Sequence, residues 1–294
     1  MQKITPFLWF DKEAGEAAKF YTSIFKPSKI KNLTVLDNTP SGKVEIVAIE
    51  IFGQKFSLMS AGPHFKFTPA VSFLVTCNKK EDVDTFWNKL SKDGMALMEL
   101  GEYPFSKRYG WVQDKYGLSW QIMFTIEHKI KQKIVPTLLF VGKQCGRAED
   151  AINFYTSIFN NAKINNILRY EKNEGPDKEG TVKHAVFTIE NQEFAFMDSA
   201  HKHNFTFNEA ISFVVSCKTQ KEIDYFWNKL SANPKAEQCG WLKDKFGLSW
   251  QVIPDTLGDM LGDKDKNKVK RVTEAFLKMK KFDLEALKKA YEKK

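Results

Sequence analysis

The chain has 294 residues, of which 43% are hydrophobic and 28% are charged. This length predicts two domains of ordinary size, and the composition excludes a largely disordered chain. Of the formal net charge of +9, residues 263–294 contribute +6, so the charge is typical of a solvated basic tail and predicts no nucleic-acid binding.

The chain begins with an apolar run, Met1 to Phe10, that is too short for a signal peptide and is followed by Asp11. No stretch reaches the roughly 18 consecutive apolar residues of a transmembrane helix. The cysteines have no CxxC or zinc-binding spacing, and we interpret them as reduced thiols. These features predict a cytoplasmic protein that does not enter a membrane. The cysteines are Cys77, Cys145, Cys217 and Cys239.

The first 130 residues predict two consecutive modules of strands and helices. The first module has the order strand, helix, strand, strand, strand, and the second has strand, helix and two closing strands, judged from hydrophobic periodicity. The pattern therefore indicates about two βαβββ modules in this segment. The predicted strands are Ile4–Phe10, Ile30–Leu36, Val44–Ile51, Lys55–Ser60, Val71–Thr76, Gly110–Gln113 and Ser119–Phe124, and the predicted helices are Lys12–Phe25 and Lys80–Leu90.

The same pattern returns in the second half of the chain, which indicates a domain duplication. The offset between the copies is 134, then 140, then 130 residues, so the second copy gains residues in two places and loses ten between Ser231 and Cys239. Such changes are typical of surface loops. The matching segments are Phe20–Phe25 with Phe154–Phe159, Ala70–Val75 with Ala210–Val215, Phe86–Ser91 with Phe226–Ser231, and Gly110–Ile122 with Gly240–Val252.

The tail, residues 263–294, predicts a helical hairpin. Its first helix carries an apolar stripe that includes Val272 and Phe276, and its second begins after Asp283, a plausible N-cap. The pattern fits a hairpin packed against the second domain, and it also fits a helix that binds a partner or a second copy of the chain.

The combined motifs resemble the PhnB-like branch of the vicinal oxygen chelate (glyoxalase/bleomycin resistance/dioxygenase) superfamily, which often bears the label 3-demethylubiquinone-9 3-methyltransferase domain. The resemblance rests on Ile4–Phe10, Phe20–Phe25 and Gly240–Val252 and covers essentially the whole chain. It implies an α+β fold with two tandem domains, each of paired βαβββ modules forming a curved mixed sheet around a cleft. The expected boundaries are 1–130 and 131–262 for the domains and 263–294 for the C-terminal helical hairpin.

In metal-using relatives, the resemblance implies, a divalent ion is held by His and Glu from three strand positions. In this chain those positions hold neither imidazole nor carboxylate, and one amide per copy cannot hold a divalent ion. We therefore predict no superfamily-type metal site and no cofactor, with ligands donated across paired modules as the open alternative. The positions are Thr5 or Pro6, Ala70 and Gln121 in the first copy, and Val135 or Pro136, Ala210 and Gln251 in the second.

Candidate ligand-binding residues follow from the same cleft. If Gln121 faces the cleft, as the family position implies, strand alternation places Ser119 and Met123 beside it and Trp120 on the helix-covered side. The matching loops before the second modules carry His64 and the pair His201 and His203, which are either exposed polar residues or contacts at the cleft rim. The candidates are Gln121, Gln251, Ser119, Ser249, His64 and His203.

The sequence favours a protein that binds a small, partly aromatic molecule in a sheet-lined cleft, as a monomer made pseudo-dimeric by duplication or as a homodimer. One alternative is a glyoxalase-like enzyme or a related lyase or transferase, and another is a structural or interaction protein. No GxSxG, P-loop or GxGxxG motif is present, and no catalytic residue is singled out. A methyltransferase that uses S-adenosylmethionine normally needs a parallel sheet with a glycine-rich first turn.

Overall fold

A computed structural model describes residues 2–127 and 129–293, apart from the side chain of Asn38. In the first repeat the strands and helices follow the predicted order apart from the additional strand β6, and the helix after β5 has the predicted ends. The elements are β1 (Ile4–Phe10), α1 (Ala14–Ile24), β2 (Ser28–Thr39), β3 (Gly42–Ile51), β4 (Gln54–Ser60), β5 (Val71–Cys77), α2 (Lys80–Leu90), β6 (Met95–Tyr103), β7 (Ser106–Gln113) and β8 (Ser119–Phe124).

The second repeat has the same order but lacks a counterpart of β6, and a short tail of helices follows it. The elements are β9 (Ile134–Val141), α3 (Ala148–Ile158), β10 (Lys163–Arg169), β11 (Val182–Ile189), β12 (Gln192–Ser199), β13 (Ile211–Cys217), α4 (Gln220–Leu230), β14 (Trp241–Lys243), β15 (Ser249–Pro254), α5 (Leu257–Leu261), α6 (Lys266–Phe276) and α7 (Leu284–Glu292).

The chain forms two compact units, and each unit combines halves of both repeats. Unit 1 consists of residues Met1–Lys66 and Asn208–Lys294, and unit 2 consists of residues Phe67–Phe207. The first module of one repeat therefore folds with the second module of the other. The compact units differ in this way from the sequential segments 1–130 and 131–262, which describe the repeat.

Each unit contains one curved mixed sheet, as the family resemblance implies. In unit 1 the strand order is β14-β15-β13-β1-β4-β3-β2, and in unit 2 it is β10-β11-β12-β9-β5-β8-β7-β6. The joint between modules is an antiparallel pair in both, β1 with β13 and β5 with β9. Helices pack on both sheets: α1 and α4 pack on the sheet of unit 1, and α2 and α3 pack on the sheet of unit 2.

Strand β6 was not predicted from the sequence. It pairs with β7 in unit 2 through three register shifts, and most of its residues are only half-buried. An irregular edge strand of this kind lacks the alternation of apolar and polar residues by which strands are recognised in a sequence.

The C-terminal tail is part of unit 1, where α6 and α7 pack on each other. Asp283 caps α7 as predicted, since its side chain accepts a hydrogen bond from the Ala286 backbone N–H at 2.9 Å. The segment between α6 and α7 is fixed to the start of β14: the N–H groups of Cys239 and Gly240 donate to the carbonyls of Met279 and Lys280 at 2.8 and 2.7 Å.

Phe282 anchors this tail in unit 1. Its side chain is 2% exposed, and Gly240 lies so close that a Cβ there would meet the Phe282 ring at 2.4 Å. Gly240 also has a φ of 82°, which glycine adopts at little cost. The loss of ten residues before Cys239 thus leaves a space that the tail fills.

We expect Phe282→Ala to lower the free energy of unfolding by about 3–5 kcal/mol, because a buried phenylalanine leaves a cavity when truncated. Urea titration followed by tryptophan fluorescence measures the change. Phe105→Ala is the matched control, since Phe105 is 61% exposed and should cost no more than about 1 kcal/mol. Equal losses in the two variants would contradict the anchoring role of Phe282.

Candidate functional site

A cavity of about 480 Å³ lies within unit 1. Its volume is in the range of roughly 300–1,000 Å³ that small-molecule sites occupy. From β15, Ser249, Gln251 and Ile253 line the cavity, while the intervening Trp250 and Val252 are buried elsewhere. This alternation is the one expected for a strand whose two faces have different neighbours.

Aromatic side chains form one wall of the cavity. Trp241 packs edge-on against Phe7 and Trp9, with ring centroids 5.7 and 6.0 Å apart, and Trp9 packs edge-on against Phe65 at 5.1 Å. The Trp9 indole is held in place because its Nε1–H donates to the Gly62 carbonyl at 2.8 Å. A wall of this kind favours flat apolar or aromatic ligands.

Helix α5 and the tail supply another part of the lining. Apolar side chains from α5, from the end of α6 and from the segment before α7 face the cavity, which extends the apolar surface beyond the sheet. The tail is therefore a structural part of the candidate site. These side chains are Leu257, Leu261, Phe276, Leu277 and Phe282.

A buried aspartate sets the orientation of the closing strand. The Asp244 carboxylate accepts the N–H groups of Phe246 and Leu248 through Oδ1, at 2.9 and 3.1 Å. Its Oδ2 accepts the Trp250 Nε1–H at 2.8 Å. Because Trp250 is tied to this side, Ser249 and Gln251 point to the other, toward the cavity. Asp114 makes the same contacts with Trp120 in unit 2.

Gln251 presents a carbonyl oxygen to the cavity. Its side chain is 3% exposed, and its Nε2 donates to Ser212 Oγ at 2.9 Å. Its Oε1 accepts no hydrogen bond from any described residue. Since no fully enclosed side-chain N or O atom of the described residues lacks a partner, this oxygen must be reachable from the cavity.

Two further polar groups in unit 1 also have no side-chain hydrogen-bond partner among the described residues. Trp241 Nε1 and Ser249 Oγ both belong to residues that line the cavity. Within residues 2–127 and 129–293, neither makes a side-chain hydrogen bond. The residues that line the cavity therefore carry an acceptor at Gln251, a donor at Trp241 and a hydroxyl at Ser249 that no described side chain uses.

In unit 2 the corresponding groups are paired with one another. Gln121 Nε2 donates to Ser72 Oγ at 2.8 Å, and the Tyr109 hydroxyl donates to Gln121 Oε1 at 2.8 Å. Trp111 Nε1 donates to Ser119 Oγ, also at 2.8 Å. Burial raises the pKa of the Tyr109 hydroxyl, so the phenol stays protonated and remains a donor.

Substitutions between the repeats account for this difference. Tyr109, which precedes Gly110, corresponds to Cys239, which precedes Gly240, and a thiol cannot reach as far as a phenol. Thr137 and Leu139 stand in the second repeat where the first has Phe7 and Trp9. The aromatic pair draws the Trp241 indole into edge-on contacts, and its N–H has no contact with Ser249.

The candidate histidines lie apart from these groups. His64 is exposed, with its ring centroid 6.1 Å from that of Trp9, and the neighbouring Phe65 rather than His64 lines the cavity. His203 Nε2 lies 2.9 Å from Ser199 Oγ in unit 2. Burial lowers the pKa of His203, and the nearby His201 lowers it further.

His184 is a further histidine of unit 2. It lies on β11 at the position that corresponds to Ile46 on β3, and Ile46 lines the unit 1 cavity. Burial lowers the pKa of His184. The repeat alignment marks this exchange of isoleucine for histidine, but it does not reveal the burial.

The residues at the family's metal positions do not fit a divalent ion. In unit 2, Val135 belongs to an apolar cluster with Leu74 and Ala195, and the oxygen of Gln121 is taken by Tyr109. Among the described residues, no three His, Cys, Asp or Glu side chains are grouped so as to hold a metal ion. We derive no chemical step through a metal.

One family model matches both repeats of the chain. The model described as 3-demethylubiquinone-9 3-methyltransferase matches it twice, over residues 2–123 and 132–253. The chain belongs to the 3-demethylubiquinone-9 3-methyltransferase family. It is a tandem form of this family, because each match covers one repeat. The search of curated proteins found no match.

Several solved structures are similar to this chain. A putative 3-demethylubiquinone-9 3-methyltransferase, the PhnB protein of Bacillus cereus, is 43% identical over 42% of this chain and 100% of its own, with a TM-score of 0.40. The E144Q mutant of glyoxalase I from Zea mays is 10% identical over 86% of this chain and 95% of its own, with a TM-score of 0.54. The maize likeness shows the fold, which is the vicinal oxygen chelate fold implied by the sequence.

A third solved structure is a putative dioxygenase from Bacillus subtilis. It is 10% identical, covers 85% of this chain and 83% of its own, and has a TM-score of 0.50. At this identity the likeness again concerns the fold alone. In the part of the chain that the structure describes, no helix is long and apolar enough to cross a membrane.

The unequal pairing of the two indoles can be tested by stability. We expect Trp111→Phe to lower the free energy of unfolding by about 1–2 kcal/mol more than Trp241→Phe, because it leaves the buried Ser119 hydroxyl without its donor. Urea titration of both variants gives the comparison. The two substitutions remove the same group, so equal losses would contradict the pairing difference.

The burial of His184 predicts a loss of stability in acid. Its pKa is lowered in the folded state, so as pH falls below about 6.5 the unfolded state binds the proton more readily than the folded state. We expect the urea midpoint to fall between pH 7 and pH 5, and to fall less in His184→Ile, which carries the residue found at position 46. An unchanged pH dependence in the variant would contradict this role.

Proposed function

We propose that unit 1 binds a small, largely apolar and partly aromatic molecule in its cavity. Gln251 Oε1 would accept a hydrogen bond from the ligand, Trp241 Nε1 would donate one, and the Ser249 hydroxyl could do either. The aromatic wall of Phe7, Trp9 and Trp241 would pack against its rings.

One observation carries this proposal: polar groups that are mutually paired in unit 2 have no such partners among the described residues of unit 1. A polar group shielded from bulk water without a hydrogen bond costs free energy, typically about 1–3 kcal/mol. In unit 1 these groups face a cavity large enough for a ligand. A ligand that displaces water from these groups must supply matching hydrogen bonds to avoid this cost, so the groups select for a ligand of matching polarity.

The family name describes methyl transfer, but the architecture favours binding. Methyltransferases that use S-adenosylmethionine normally hold the donor at a glycine-rich turn of a parallel sheet. Within the described residues both sheets are mixed, and each joins its modules through an antiparallel strand pair. A glyoxalase-like activity would rest on fold likeness alone, and fold does not establish function.

The proposal also covers the location, the oligomeric state and the class of ligand. The protein would act in the cytoplasm, as a monomer or homodimer, on a small molecule rather than on nucleic acid or a membrane. The site uses Gln251 and Ser249, whereas the ligand contacts predicted for Gln121, Ser119, His64 and His203 stay predictions.

Cys239 provides a reporter for the test, because its thiol belongs to the cavity lining. We expect N-phenyl-1-naphthylamine, a neutral aromatic probe, to gain fluorescence on binding and to slow the reaction of Cys239 with methyl methanethiosulfonate several-fold. Burial raises the pKa of this thiol, so the unprotected reaction is best followed above pH 8. Peptide mass spectrometry reads the modification.

Cys145 in unit 2 is the internal control. It is half-buried like Cys239, and the cavity does not include it, so its rate of modification should not change. Probe binding that leaves the Cys239 rate unaltered would overturn the proposed site.

A further inference from the structure

Tyr109 shows which chemical group fits beside the cavity glutamine. In unit 2 its phenol donates to Gln121 Oε1 at 2.8 Å, and its ring is 5% exposed. In unit 1 the corresponding residue is Cys239, and Gln251 Oε1 has no donor among the described residues. The unit 1 cavity therefore lacks a hydroxylated aromatic ring that unit 2 supplies from its own chain.

The surroundings of the two positions match as well. In unit 2 the Tyr109 ring receives edge-on contacts from Tyr103 and Phe105, with centroids 5.5 and 4.9 Å away. In the described part of unit 1 no strand corresponds to β6, which carries Tyr103. Its cavity instead has Trp241 and Phe282 in the lining beside Cys239. Both positions thus combine an amide oxygen with aromatic neighbours.

We infer that the ligand of unit 1 is a neutral phenolic molecule whose hydroxyl donates to Gln251 Oε1, in the role that Tyr109 has in unit 2. This inference rests on the proposed function, because it specifies the ligand of the same cavity. The cavity has a volume of about 480 Å³, which is more than one phenol ring fills. The ligand therefore carries additional apolar or aromatic groups.

The hydrogen bonding of Gln251 also disfavours ligands that cannot donate a proton. With its Nε2 committed to Ser212, Gln251 offers only an acceptor to the cavity. A methyl ether has no proton to donate, and an ionised phenolate would bring a negative charge against the amide oxygen. Selection for a donor is strong where a buried acceptor would otherwise be left unpaired.

The test compares 2-naphthol with 2-methoxynaphthalene, which differ in the donated proton. Affinities are measured by displacement of N-phenyl-1-naphthylamine and by protection of Cys239. We expect the full-length protein to bind 2-naphthol at least 10-fold more tightly than the ether. In Gln251→Leu this preference should fall to below about 3-fold, while the ether still binds.

Tyr109→Phe is the matched control. It removes the hydroxyl that pairs with Gln121 in unit 2 and leaves the unit 1 cavity unaltered, so the preference for 2-naphthol should persist. The wild-type ratio needs no variant, which keeps the inference testable even if Gln251→Leu does not fold.

The outcomes separate the two claims. Equal binding of both compounds, with protection of Cys239 by both, would overturn the phenolic ligand and leave the proposed cavity intact. A preference for 2-naphthol that Gln251→Leu retains would also overturn the inference. Binding without any protection of Cys239 would overturn the proposed site itself, and failure of 2-naphthol to bind at its solubility limit would overturn the phenolic ligand.

Discussion

The antiparallel pairing of β1 with β13, and of β9 with β5, is the constraint on which the rest of the structure depends. A single βαβββ module exposes an unpaired edge and an uncovered face. The two repeats solve this by exchange, so that each sheet takes one module from each copy. As a consequence, the residues around any one cleft come from both halves of the chain. A substitution in one repeat therefore alters a cleft to which the other repeat also contributes.

Much of this fold follows from the sequence, because it is encoded locally and twice. The strand β1 and the helix α2 have the predicted ends, and the alternation around Gln251 follows from a period of two along β15. The exchange of modules was not predicted. Strand pairing between distant segments depends on which edges meet in three dimensions, and identical modules present the same edges to either partner. Strand β6 was missed because its irregular pairing leaves no alternating pattern.

The candidate site was predicted in part. Gln251 and Ser249 lie in the cavity lining as strand alternation requires, but the sequence could not distinguish them from Gln121 and Ser119, which belong to an identical motif. The distinction lies in residues outside the motif. The first copy has Tyr109 where the second has Cys239, and this exchange decides whether the amide oxygen of the glutamine has a donor. Hydrogen-bond partners across strands are set by register and side-chain reach rather than by neighbours in the chain. The tail helices, whose pattern fitted either packing or a partner, contribute to the cavity wall.

The asymmetry of the two clefts has two physical origins, the shortened second copy and the exchange of Tyr109 for Cys239. Unit 2 keeps the hairpin of β6 and β7, which brings Tyr103, Phe105 and Tyr109 together over its glutamine. The described part of unit 1 has no counterpart of β6 and therefore no such aromatic cover. The phenolic donor is absent for a different reason, because Cys239 stands in place of Tyr109. In unit 1 the tail packs at this place instead, through Phe282 against Gly240 and a backbone hydrogen bond from Cys239. Because the tail contributes apolar side chains to the lining and backbone contacts at the start of β14, it encloses the cavity without supplying a donor to Gln251. Duplication thus left one copy of the cleft satisfied by its own side chains and the other with polar groups that a ligand can satisfy.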